Sequence, residues 1–201
     1  MPQALNAELK INLGSGLSGA PSWINIDNSP TVTLSRLPFG RKVFKSPPWP
    51  KDVRRHNVIK GLPFPNESVS FIYSSHTFDT SHGKTHTVAQ ECYRVLRAGG
   101  VLRIVVPDLR KIVDEYLKDN DPLASHRMLQ RLSLTHTLHD LIHPGANHSQ
   151  MFDERSLVYL LQRAGFAQPE ASIFNQSRIP DVALIELEVR AREKLYVESV
   201  K

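Results

Sequence analysis

Residues 9–27 read LKINLGSGLSGAPSWINID. Residues 9–13 form an expected first strand, ended by Gly14, and residues 23–27 an expected second. Between them Gly14-Ser15-Gly16-Leu17-Ser18-Gly19 spells GxGxxG directly after a strand. Glycines there let the backbone turn tightly and approach a ligand, and the exposed amides can hold an anionic group. Dinucleotides and adenosyl cofactors both use such a turn.

Spacing helps to separate those two classes. A dinucleotide fold places a full helix between the glycines and the acid that ends strand two, about 20 residues on. Asp27 follows Gly16 by only 11 residues, with Pro21 in the gap. That helix does not fit. At the tip of strand two, Asp27 can still accept hydrogen bonds from two ribose hydroxyls, as S-adenosyl-L-methionine (SAM) requires. A capping or turn role before Asn28-Ser29-Pro30 is the plainer alternative.

Outward from this unit, apolar runs alternate with helical patterns, which argues for an α/β layered fold with a largely parallel sheet. Strands are expected near residues 53–57, at 70–75 (SFIYSS) and at 101–106 (VLRIVV). Residues 85–97 place Val88, Cys92, Val95 and Leu96 on one helical face, with Gly99-Gly100 as the stop. Helices are expected at 109–117 and 122–142, and at 154–164 with Asp153 as cap and Gly165 as end. A sixth strand is expected at 171–174, a half-buried strand at 182–191 from its alternation, and a solvated tail at 192–201.

The 201 residues suit one domain with a sizeable core. There is no apolar run of about 20 residues to span a membrane, and the start lacks a secretory pattern. The single cysteine, Cys92, allows no internal disulfide and reads as a small buried hydrophobe. A cytoplasmic setting is expected. The net charge of +5 is uneven: residues 28–60 hold eight basic side chains and one acid. Such a stretch can attract an anionic partner or can simply be a solvated loop face. No zinc spacing or aromatic-rich RNA signature supports sequence-specific nucleic-acid binding. His136, His139 and His143 share a helical face, but without a cysteine pair or HExxH no metal site is expected.

Four blocks together carry a family resemblance: LKINLGSG…SWINID, HNVIKGLPFPNESVSFIYSSH, ECYRVLRAGGVLRIVVPDL and HSQMFDERSLVYLLQRAGF. Over residues 9–166 the chain resembles the small class I (Rossmann-like) SAM-dependent methyltransferases often found near glycan-biosynthesis genes. The resemblance implies a three-layer αβα sandwich whose mostly parallel seven-stranded sheet has an antiparallel final strand. It implies that Gly14, Ser15 and Gly16 line the methionine end of SAM, that Asp27 holds the ribose, and that Asn57 and Val58 meet the adenine edge. Ser74, Ser75 and His76 would face the cofactor's amino-acid part and the acceptor. His76 is a candidate base oriented by Asp79, with His148 a second candidate on a lid. Segments 28–51 and 109–150 would rim a pocket for a small-molecule or glycan acceptor.

The chain departs from similar proteins at Asn57, Ser70, Asp79-Thr80 and Ala98, where they usually show an acid, Asp, Glu-His and Pro. Two rivals stay open at this point: a catalytically silent SAM-binding or partner module, and a nucleotide-dependent oxidoreductase.

Overall fold

The computed structural model describes residues 8–37, 39, 48–81, 83–125, 128, 150–188 and 194–201. Its strands are β1 (Lys10–Leu13), β2 (Ile24–Asp27), β3 (Arg54–Arg55), β4 (Val69–Ser75), β5 (Leu96–Pro107), β6 (Glu170–Ser172) and β7 (Lys194–Val200). The helices are α1 (Thr31–Leu34), α2 (Thr85–Val95), α3 (Leu109–Lys118) and α4 (Glu154–Arg163), with 3₁₀ turns at Val58–Lys60 and Val182–Leu184.

One seven-stranded sheet runs in the order β3-β2-β1-β4-β5-β7-β6. The first five strands pair in parallel, while β7 lies antiparallel to both β5 and β6. This is the mostly parallel sheet with an antiparallel final strand that the resemblance implied.

Strand alternation sorts the core onto two faces. Ile72, Leu102 and Ile104 pack with Val88, Cys92 and Val95 of α2 and with Leu157 and Leu161 of α4. Phe71, Tyr73, Val101 and Val105 face the other way, against Ile179, Val182 and Ile185. Asp153 caps α4 as expected, in a capping box with Ser156.

A fully buried arginine fastens the segment over the second face. Arg103 of β5 donates from Nε to Glu186 (2.5 Å) and from Nη1 to Ser172 Oγ (2.7 Å) and the Gln176 carbonyl (2.9 Å). Its Nη2 reaches the Ile173 carbonyl at 2.8 Å. A buried charge is tolerable only when so fully paired. Glu198 of β7 joins the cluster, accepting from Ser177 Oγ and the Arg178 amide.

This network explains a correction. The alternating run at 182–191 is not a strand: Val182–Leu184 is a 3₁₀ turn, no strand follows through Glu188, and 189–193 lie outside the described residues. The final strand is instead β7, where a solvated tail was expected, and Leu195, Tyr196, Val197, Glu198 and Ser199 are all buried. Glu186 and Glu198 mark interior positions because Arg103, far away in sequence, receives them.

Smaller differences follow local geometry. Helix α2 stops at Val95, and the chain is already extended at Leu96 (φ −65°, ψ 135°), so Gly99-Gly100 lie within β5. The sixth strand is Glu170–Ser172, not 171–174. Most of the expected helix at 122–142 lies outside the described residues.

Candidate active site at the strand ends

A cavity of about 550 Å³ opens at the carboxyl ends of β1, β2, β3 and β4, the position where open α/β sheets bind ligands. Its size suits a small organic ligand. Gly14, Ser15, Gly16, Asp27, Asn57, Val58, Ser75 and His76, all expected at the site, line it together.

The glycine turn is hydrogen-bonded to strand two. The amides of Gly14 and Ser15 both donate to the Ile26 carbonyl, at 2.8 and 3.0 Å. Gly14 has φ +72°, and a Cβ there would stand 1.9 Å from Thr77 Oγ1. That hydroxyl is itself held by donation to the Leu13 carbonyl at 3.0 Å. Gly16 also has positive φ (+54°), but a Cβ there meets nothing within 4 Å. Residues 14–23 form turns rather than a helix, so the short gap to Asp27 is spanned without the dinucleotide element.

Asp27 has the turn role read from the sequence and also lines the cavity. Its Oδ2 accepts from the Gly16 amide at 2.9 Å and its Oδ1 from the Ser29 amide at 2.7 Å. A carboxylate has about four acceptor sites, so two such bonds leave capacity for ribose hydroxyls. The open space at Gly16 and this cavity-lining carboxylate fit an adenosyl cofactor. Asn57 is also structurally engaged: its Oδ1 caps the 3₁₀ turn through the Ile59 amide at 3.0 Å.

Ser74 needs correction. It is fully buried and does not line the cavity, unlike Tyr73 and Ser75 on either side of it. Alternation along β4 sends it to the opposite face. Ser70 likewise is buried within β4, away from the cavity, so the departure there does not touch the site.

His76 follows β4 in the left-handed region (φ +58°). Its carbonyl accepts from Thr80 Oγ1 at 2.8 Å, so the residue that departs from the Glu-His pair helps hold this turn. His76 Nδ1 lies 3.1 Å from Oδ2 of the buried Asp79, and Lys194 Nζ lies 2.5 Å from Nε2. An ionised carboxylate only accepts and an ammonium only donates. With Asp79 ionised and Lys194 an ammonium, the ring between them carries its proton on Nδ1 and accepts from Lys194 at Nε2.

Burial of Tyr196 pushes its phenol up to about 12. Burial, aided by Glu186, pushes Tyr73 up as well. Both cavity-lining tyrosines stay neutral hydrogen-bonding groups. Val105, Ile185 and Leu187 add an aliphatic wall.

Of the expected rim, Asn28, Ser29, Thr31 and Trp49 line the cavity, while described residues of 109–150 do not. Within the basic stretch, Arg36 is structural, donating to the carbonyls of Pro50, Lys51 and Val53. His148, His136, His139 and His143 lie outside the described residues. Among the described residues no group of His, Cys, Asp and Glu could hold a metal, and no helix is long and apolar enough to cross a membrane. Lys194 was not foreseen, and Trp49 only as part of the 28–51 rim. An indole set among the prolines of PPWP was a readable signal, while Lys194 was hidden in the supposed tail.

Residues 23–104 match the family model described as a methyltransferase domain. No curated protein matches the chain. Among solved structures, a SAM-dependent methyltransferase from Archaeoglobus fulgidus is similar at TM-score 0.55 and 11% identity, over 97% of this chain and 86% of that one. One from Methanosarcina mazei gives TM-score 0.52 and 17% identity, over 98% and 92%. PigF with SAH gives TM-score 0.52 and 16% identity, over 96% of this chain and 50% of PigF. At such identities the structures speak for the fold, and the matched model for the chemistry.

Proposed function

From the premise that this chain is a methyltransferase whose cofactor is SAM, we propose that it methylates an oxygen or nitrogen of a small-molecule or glycan acceptor. The observation that carries this is His76. Its ring, backed by Asp79 at 3.1 Å, lines the same cavity as the Gly14–Gly16 turn and Asp27.

The bound cofactor supplies an electrophilic methyl group, which an in-line nucleophile displaces from sulfur. The protein's part is positioning. Gly14, Ser15 and Gly16 border the amino-acid end, Asp27 accepts from the ribose, and Asn57 and Val58 border the adenine. A hydroxyl acceptor must also lose a proton. His76 Nε2 takes that proton as the Lys194 ammonium yields its place, and Asp79 stabilises the resulting imidazolium through Nδ1–H. An amine acceptor that arrives deprotonated needs only the positioning. A cytoplasmic setting belongs to this proposal and rests on the single free thiol of Cys92.

The occupied Nε2 of His76 favours a second reading, a SAM-binding module without turnover. Calorimetric titration with S-adenosylhomocysteine, followed by methyl-labelled SAM with a panel of phenols, amines and sugars, separates the two. Transfer to any panel member supports the enzyme. Binding of the cofactor without transfer across the whole panel supports the silent module.

A further inference from the structure

Trp49 lies outside the glycine and aspartate signature, yet it lines the same cavity. A continuous line of hydrogen bonds ties it to the glycine turn. The Gly16 amide donates to Asp27 Oδ2 at 2.9 Å, and the Ser29 amide to Asp27 Oδ1 at 2.7 Å. Ser29 Oγ stands 2.7 Å from Thr31 Oγ1, which accepts from Trp49 Nε1 at 3.0 Å. All five residues border the cavity.

Donor and acceptor roles order this line. An indole nitrogen only donates, so Thr31 Oγ1 is an acceptor toward Trp49 and can pass its own proton to Ser29. The polar edge of the indole is thereby committed within the protein. What Trp49 has left to offer a ligand is its apolar π face. Within the cavity, Trp49 shares the lining with the aliphatic Val58 and Ile59. A flat heteroaromatic is the natural occupant of such a wall.

We propose that Trp49 is a cofactor-binding residue of this chain, taking the adenine of SAM on its indole face, with Thr31 and Ser29 as positioning residues that register the ring to Asp27. The proposal rests on the SAM reading of the cavity. It adds a contact from the proline-rich segment between α1 and β3.

The protein carries its own probe, because Trp23 is the only other tryptophan and is buried in the second core cluster. Titrating Trp23→Phe with S-adenosylhomocysteine should quench the remaining emission. Adenosine alone should do the same, and homocysteine should not. Trp49→Ala should weaken S-adenosylhomocysteine by about 5- to 100-fold in calorimetry, the range for loss of one base–aromatic stack. Trp49→Phe should retain most of the affinity, and Thr31→Val should lose a few-fold.

Unquenched emission of Trp23→Phe at saturation, with wild-type affinity in Trp49→Ala, overturns the proposal and leaves SAM binding intact. Absence of any S-adenosylhomocysteine binding by the wild type instead overturns the SAM reading beneath it. If Trp49→Ala does not fold, the emission of Trp23→Phe and the affinity of Trp49→Phe decide. Quenching with retained affinity supports the stack, and no quenching refutes it.

Discussion

Lys194 Nζ lies 2.5 Å from His76 Nε2, joining the first residue of β7 to the turn after β4 across 118 positions of sequence. The ring is thus held from both sides, by Asp79 at Nδ1 and by Lys194 at Nε2.

His76→Ala should lower turnover of a hydroxyl acceptor by about 10²–10⁴-fold, the usual contribution of a general base. Affinity for S-adenosylhomocysteine should change little. Lys194→Met should alter turnover through the same ring, so its effect should largely disappear in the His76→Ala background. Steady-state rates for the four members of this cycle check the coupling. Fully additive effects would show that Lys194 acts elsewhere.

Gly14 and Gly16 should respond differently to alanine. Both pay the cost of a left-handed backbone, roughly 1–2 kcal/mol. Only Gly14→Ala also drives a methyl against Thr77 Oγ1. Gly14→Ala should therefore be clearly the less stable in urea unfolding, and Thr77→Ala should recover part of the loss. Gly16→Ala should keep most stability while its methyl, entering the cavity, weakens S-adenosylhomocysteine. Equal destabilisation by both would contradict the geometry.

Asp27→Ala should lose both affinity and stability, because the carboxylate holds two backbone amides besides facing the cavity. Charge-assisted bonds to the ribose are worth about 1.5–3 kcal/mol, or roughly ten- to a hundred-fold in affinity. Losing the amide contacts should lower stability by about 1–3 kcal/mol. Calorimetry and chemical unfolding on one sample measure the two. A stability loss at unchanged affinity would leave Asp27 as a turn residue only.

Cys92 is fully buried between α2 and the sheet, and burial pushes its thiol from 9.0 up to about 12. In the unfolded chain the thiol ionises first, so the unfolded state holds fewer protons above pH 9. The Cys92 contribution to stability is present below that pH and is lost progressively as pH rises toward 12. Cys92→Ala should flatten the alkaline fall in stability, though the cavity it leaves lowers the plateau. Iodoacetamide should label the wild type at pH 8 only after unfolding. Rapid labelling of the native protein would contradict this burial.

What was legible in the sequence was local. The strand–glycine–strand unit at residues 9–27, the apolar face of α2 and the Asp153 cap all depend on neighbours in sequence, and all formed. Strand β7 depends on a distant partner. Glu198 is tolerated inside because Arg103, 95 residues earlier, lies beside it. Read by itself, KLYVESVK resembles a charged surface segment. Lys194 was missed for the same reason, and with it the second contact to His76. Ser74 is different, since the alternation of a strand already separates it from Ser75.

Strand β6 is made before β7 but lies beyond it: Ala171 pairs with Val197, and the sheet reaches β6 only through β7. A nascent chain that has emerged only through β6 lacks the native partner of that strand. It also exposes the flank of β5, from Val101 to Pro107, that β7 will later occupy. An open apolar strand edge invites pairing with other chains, and closing it requires slow, long-range docking. Synthesis thus has a vulnerable interval that ends only when β7 has emerged, and during it β5 is where a chaperone would be most useful.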